Sequence, residues 1–142
     1  MAEEFRLPLV GGRVEAGFPS PADDFIDRSL DLNDELVVNS IATFFVRASG
    51  HSMDGAGIHD GDLLVVDRSV IPSNGSVVVA VVDGGHTVKR FLKRGTIVTL
   101  QPEPSVINEG HYSPIRIESE TDARVWGVVT YAIHRLERVC MH

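Results

Sequence analysis

A side chain that attacks a carbonyl needs a base beside it and fixed N–H donors for the oxyanion it creates. In this chain of 142 residues, one stretch has that character: the loop Ala48-Ser49-Gly50-His51-Ser52-Met53-Asp54-Gly55. It leaves one apolar segment and, after the turn-rich GAGIHDGD, enters another. Glycine-bearing turns on both sides let Ser52 stand exposed, with backbone amides pointing past it. By itself the signal is weak, because a serine after Gly-His is usually a turn residue.

The familiar base is a histidine held by a carboxylate, and the chain has six histidines. His51 adjoins Ser52, but neighbouring residues of a loop point different ways and rarely pair as nucleophile and base. His59, His86, His111, His134 and His142 fall in turns, at a strand start or near the end, none with an acid at diagnostic spacing. A Ser-His-Asp triad is open but unsupported. Metal and cofactor chemistry find no ligand set either. There is no HExxH, the glycines Gly55, Gly57 and Gly61 miss the nucleotide-binding patterns, and DGAGIHDGD departs from a calcium loop. Asp54, Asp60 and Asp62 read as turn and strand-start residues, so no metal and no cofactor are expected.

Lysine is the other candidate base. Lys89 lies in His86-Thr87-Val88-Lys89-Arg90-Phe91-Leu92, where alternation puts Thr87, Lys89 and Phe91 on one face. If that face is packed, the ammonium loses solvation, its pKa falls, and the neutral amine can take the serine proton at ordinary pH. The competing reading is a lysine that snorkels to the surface, the common fate of lysines in half-buried strands. Arg90, Lys93 and Arg94 beside it read as the solvated side of a strand and a turn.

The length suits one domain, and 43% apolar content is ordinary for a globular core. A net charge of −7 argues against nucleic-acid binding over the whole surface. Cys140, the one cysteine, cannot form an internal disulfide, which suits a reducing cytoplasmic location. No apolar run approaches the roughly 20 residues that span a bilayer, and the acid-first N-terminus is not a secretory signal. Residues 1–16 read as an arm, since Pro8, Gly11 and Gly12 interrupt regular structure, although Phe5, Leu7, Leu9 and Val10 could dock. A short helix is expected next, capped by Ser20 with Pro21 at its first position, Asp23 and Asp24 near its positive end, and Phe25, Ile26 and Leu30 as its apolar face. Asp31-Leu32-Asn33 begins a second helical turn through Val38. From there the pattern is β: Thr43–Ala48, Asp62–Asp67, Ser76–Val82, His86–Leu92, Thr96–Leu100, Ser113–Ile117 and Arg124–Ile133, about seven strands with short turns between. Ser76–Val82 is apolar on both faces and so should be fully buried, and Asp83-Gly84-Gly85 should turn it into the lysine strand. The fold class is mostly β and antiparallel.

The ordered blocks GFPSPADDFIDRSLDLN, ATFFVRASGHSM, GDLLVVDRS, TVKRF, YSPI and WGVV resemble the peptidase domain of LexA-type self-cleaving proteins, and within them the UmuD/MucA-like branch. The resemblance covers nearly everything from Gly17 on. It implies a LexA/signal-peptidase-like β-fold, one or two short N-terminal helices and an extended arm. It also implies a Ser–Lys dyad at Ser52 and Lys89, and a scissile bond between Ala16 and Gly17 that separates an arm, 1–16, from a peptidase domain, 17–142. The backbone amides near the nucleophile, His51 and Ser52, would then form the oxyanion hole. Further implied are a homodimer, activation by a RecA–single-stranded DNA filament, and service of the processed form to a UmuC-type Y-family translesion polymerase in the SOS response. The first 16 residues are too short for a LexA-like DNA-binding domain, so neither repression nor sequence-specific DNA binding is expected. The arm is shorter than in the best-known UmuD. The alternative is a non-catalytic polymerase-accessory or regulatory protein on the same fold, against which the intact dyad argues. A signal peptidase uses the same dyad, but no membrane anchor is visible.

Overall fold

Residues 5–11, 13–17 and 26–138 are described in a computed structural model of the chain, and they fall in two units, Met1–Val38 and Asn39–His142. In the first unit, strand β1 (Leu7–Val10) runs antiparallel to β2 (Ile26–Leu30), with Leu7 opposite Leu30 and Leu9 opposite Arg28. Helix α1 (Leu32–Leu36) follows, its start capped by Asp31, whose carboxylate accepts the Asn33 N–H at 2.9 Å. That is the helical turn expected from Asp31-Leu32-Asn33.

The rest of this unit departs from expectation. Pro8 does not break the arm's structure: it pairs with Ser29 in a two-stranded ribbon, where both strands are edge strands and proline is tolerated. Ile26–Leu30 is a strand, not the end of a helix begun at Pro21. A helix that short is marginal by itself, whereas the extended form pairs its backbone with β1. Ser20–Phe25, with the cap and first turn of that helix, lie outside the described residues.

The second unit is one antiparallel sheet. Its strands are β3 (Thr43–Arg47), β4 (Leu63–Asp67), β5 (Val77–Val82), β6 (Gly85–Arg94), β7 (Ile97–Gln101), β8 (Ile115–Ile117) and β9 (Ala123–Ile133). They lie in the order β3-β4-β9-β5-β6-β7-β8. All seven strands expected beyond residue 43 are present, each to within a residue or two, and the mostly β, LexA-like reading holds. At the β5–β6 turn, Asp83 and Gly84 have φ of 48° and 82°, the two positive values that a tight hairpin matching the strand twist requires.

The apolar run of β5 sits between β6 and β9 and is covered on both faces. Val79 joins a core of Ala48, Met53, Ile58, Leu64 and Val66, while Val78 and Ala80 join a second core with Phe91, Leu100 and Val128. This is why the segment does not alternate. β9 is long enough to pair with both β4 and β5, and each ladder contains a bulge, at Val65/Val66 and at Val79/Ala80. Gly127 lies opposite Val79, where an added Cβ would meet Val66 Cγ1 at 2.6 Å. The sheet thus carries the two chemical candidates on separate supports: the loop between β3 and β4 holds Ser52, and the middle of β6 holds Lys89.

Candidate active site

The Ser52 loop is tied down along its length. At its base Ala48 N–H donates to Asp62 O at 2.8 Å and Gly61 N–H to Ala48 O at 2.9 Å. Aspartates staple the turns, Asp60 accepting the Gly50 N–H and Asp62 the His59 N–H, both at 2.8 Å. Met53 and Ile58 sink into the first core, so the residue after Ser52 is an apolar anchor. Across from the loop, Glu103 N–H donates to Ser52 O at 2.8 Å, and Glu103 O accepts the Gly55 N–H at 2.7 Å. Gly55 has to be glycine here, since a Cβ would lie 2.7 Å from Pro104 O and 2.9 Å from Glu103 O.

Lys89 belongs to the packed face, not the snorkelling one. It pairs with Val78 in the ladder and only 8% of the residue is exposed. Its Nζ lies 3.0 Å from Ser52 Oγ, 2.9 Å from Thr87 Oγ1 and 3.0 Å from Val88 O. All three neighbours are uncharged, so nothing offsets the loss of water, and burial pushes the Lys89 pKa below the ordinary 10.5. Nζ donates to all three oxygens; once neutral it can keep two N–H groups on Thr87 Oγ1 and Val88 O and turn its lone pair to the Ser52 hydroxyl proton. Beside Ser52 opens a cleft of about 190 Å³ lined by Val46, Ala48, Met53, Ile58, Val79 and Thr87, among others. It is small, and its lining mixes apolar side chains with the polar groups of Ser49, Ser52, His86 and Thr87. Among the described residues, the N–H groups of His51 and Ser52 donate to no protein acceptor.

Histidines do find acids, contrary to the spacing argument. His51 Nδ1 lies 3.0 Å from Asp54 Oδ2, His59 Nδ1 3.3 Å from Asp54 Oδ1, and His134 Nδ1 2.6 Å from Asp62 Oδ1. The His134 pair joins residues far apart in the chain, so spacing could not show it. Among the described residues no histidine hydrogen-bonds Ser52 Oγ, and no group of three or more His, Cys, Asp or Glu is disposed to hold a metal ion.

The Peptidase S24-like family model matches residues 8–130. The chain belongs to that family. Over 94% of its length this S24-like peptidase is 44% identical to protein ImpA of Salmonella typhimurium, covering 87% of that protein. It is 40% identical to protein MucA of Escherichia coli over 89% of this chain and 84% of that one. It also shares 44% identity with the LexA repressor of Desulfitobacterium hafniense, over 68% of this chain and 47% of the repressor. The UmuD/MucA-like resemblance therefore holds, and with it a serine kind of peptidase. Among the described residues of this S24-like peptidase no helix is long and apolar enough to cross a membrane.

Ala16 and Gly17 lie in the first unit, both exposed, in a bend on the connection from β1 to β2. Lys93 and Arg94 of this S24-like peptidase are exposed, as expected of a solvated cluster, but Arg90 is not part of it. Arg90 Nε and Nη2 meet Glu103 Oε1 and Oε2 at 2.6 and 3.1 Å. That hydrogen bonding raises the Arg90 pKa and lowers that of Glu103. The sequence offered no cue to this pair, which joins β6 to the segment just after β7, where the Glu103 backbone meets the Ser52 loop.

Proposed function

We propose that this S24-like peptidase is an autoproteolytic serine endopeptidase that cuts its own Ala16–Gly17 bond, with Ser52 as nucleophile and Lys89 as base. The observation that carries the reading is the 3.0 Å approach of Ser52 Oγ to a buried lysine without a counter-charge. Neutral Lys89 takes the Ser52 proton as Oγ attacks the Ala16 carbonyl carbon. The oxyanion accepts hydrogen bonds from the N–H groups of His51 and Ser52. Protonated Lys89 then gives its proton to the Gly17 nitrogen as the C–N bond breaks, leaving an ester between Ser52 and Ala16. A water loses its proton to Lys89, attacks that ester, and Ser52 recovers its proton as residues 1–16 leave with a new carboxylate. The small cleft suits a side chain the size of Ala16, and the exposed bend at Ala16–Gly17 supports its accessibility. Tethering supplies a high effective concentration of substrate, so modest intrinsic catalysis suffices.

The relatives support a wider role. Residues 1–16 form a cleavable arm and 17–142 a peptidase domain that acts in the cytoplasm as a homodimer in the SOS response. A RecA–single-stranded DNA filament activates the cut by binding the cleavable pose better than the resting one. The processed form then serves a UmuC-type Y-family translesion polymerase. A purely non-catalytic accessory role has no observation in its favour. The test is to follow fragment masses of the purified chain over a rising pH series, with and without RecA filaments. A cut after Ala16 that vanishes in Ser52→Ala and Lys89→Ala is expected; a wild-type chain that stays intact under all conditions sinks the proposal.

A further inference from the structure

Arg90 and Glu103 have no part in the bond-breaking steps, yet the Glu103 backbone holds the nucleophile loop from outside and Arg90 holds Glu103. The fork between them is bidentate, and Arg90 Nη1 also donates to Gly75 O at 2.8 Å, so all three guanidinium nitrogens are engaged. Their side chains are 26% and 35% exposed, a partly shielded pair. Glu103 stands between Pro102 and Pro104, and Pro102 and Pro104 have φ fixed by their rings. The main chain of Glu103 makes two bonds to the loop, one to the carbonyl of Ser52 itself and one from the amide of Gly55. The missing side chain of Gly55 is what allows that approach.

We infer that Arg90, acting through Glu103, is a positioning residue for Ser52. The ion pair fixes the Pro102–Pro104 segment, whose backbone sets where Ser52 stands, and so sets the distance from Ser52 Oγ to Lys89 Nζ. Base and clamp are successive residues of one strand, so both halves of the dyad are referenced to the same stretch of β6 backbone. The inference rests on the reading of Ser52 as nucleophile.

Two rivals make different predictions. A pair that only stabilises the fold changes the melting temperature and leaves cleavage at lower temperature alone. A charge that acts on Lys89 through space moves the pH midpoint of cleavage, upward when the Arg90 cation is lost and downward when the Glu103 carboxylate is lost. Positioning predicts the same loss for both, at an unmoved midpoint.

The experiment uses the full chain as wild type, Arg90→Met, Arg90→Lys and Glu103→Gln. Self-cleavage is followed across a pH series well below each melting temperature. Amide hydrogen exchange is measured on the same variants carrying Ser52→Ala. Expected is a plateau rate about 10–100-fold lower, the scale of a misplacement near 1 Å, with the midpoint of wild type. Arg90→Lys should not rescue it, since it keeps the charge and loses the fork. The Gly55 and Glu103 amides should exchange faster while those of β5 keep their protection, which also shows that each variant is folded. Cleavage at the wild-type rate, midpoints moving in opposite directions, or unchanged protection at Gly55 and Glu103 would each overturn the inference. A wild type that never cleaves defeats the dyad instead, and the exchange data still decide whether the clamp exists.

Discussion

Burial of Lys89 ties its proposed catalytic role to a measurable stability, and on that proposal the two titrate together. With 8% of the residue exposed and only Ser52 Oγ, Thr87 Oγ1 and Val88 O around Nζ, the protonated form is disfavoured and the pKa lies below 10.5. In the unfolded chain the lysine keeps its proton up to that ordinary value. Between the folded pKa and 10.5 the unfolded state therefore binds more protons, and stability rises with pH. The slope is about 1.4 kcal/mol for each pH unit in that window and zero below it. Methionine at position 89 carries no proton, so the Lys89→Met chain lacks this slope, whatever offset its lost hydrogen bonds introduce. Comparing Ser52→Ala with Ser52→Ala/Lys89→Met by urea unfolding, from about pH 6 to about pH 11, isolates it. The cleavage rate of the wild type should climb tenfold per pH unit and level off at the same midpoint, because the neutral fraction of Lys89 sets the rate. An unperturbed lysine would be neutral in only about one molecule in a thousand at pH 7.5, and each unit of depression raises that tenfold. A stability difference flat with pH, or a rate that levels off only near the ordinary lysine value, refutes the coupling of burial to catalysis.

Ser52→Ala should abolish the cut and leave the fold, with a melting temperature within a few degrees of wild type, because the loop is held by Met53, the aspartates and Glu103 rather than by the hydroxyl. Gly55→Ala should cost about 1–3 kcal/mol in urea unfolding and slow cleavage, since its Cβ meets two backbone oxygens that cannot rotate away. Burial works to raise the Asp62 carboxyl pKa, but the His59 N–H and the His134 ring outweigh it and hold it below 3.8. Its stabilising effect is therefore present above that value and is lost as pH falls through the folded pKa. Asp62→Asn should weaken the fold by about 1–3 kcal/mol near neutral pH and flatten the acid limb of a denaturation series.

Much of the sheet was legible because its signals are local. Runs of β-forming residues between turn signals marked the strands from Thr43 onward, the unbroken valines of β5 marked burial on both faces, and Asp83-Gly84 marked the hairpin. In the first unit the turn after Asp31 was legible, but β1 and β2 were misread because they are short and owe their form to each other, a pairing that no window of either contains. Ser52 and Lys89 were readable as residue types in suggestive settings, and the order of blocks around them pointed to their family. Neither setting distinguishes a reactive side chain from an ordinary one.

The surroundings of Ser52 and Lys89 were left to tertiary structure. Sequence by itself determined the strand content, the turn chemistry, the loop that carries Ser52 and the face that Lys89 shares with Thr87 and Phe91. Only the folded chain decided that this face is dry, that the loop reaches across to put Ser52 Oγ against Nζ, and that Arg90 grips Glu103 instead of facing water. It also decided which acids the histidines meet. The reason is physical. A strand's faces follow from a period of two, whereas desolvation and the distance between a nucleophile and its base depend on which remote segments exclude water together.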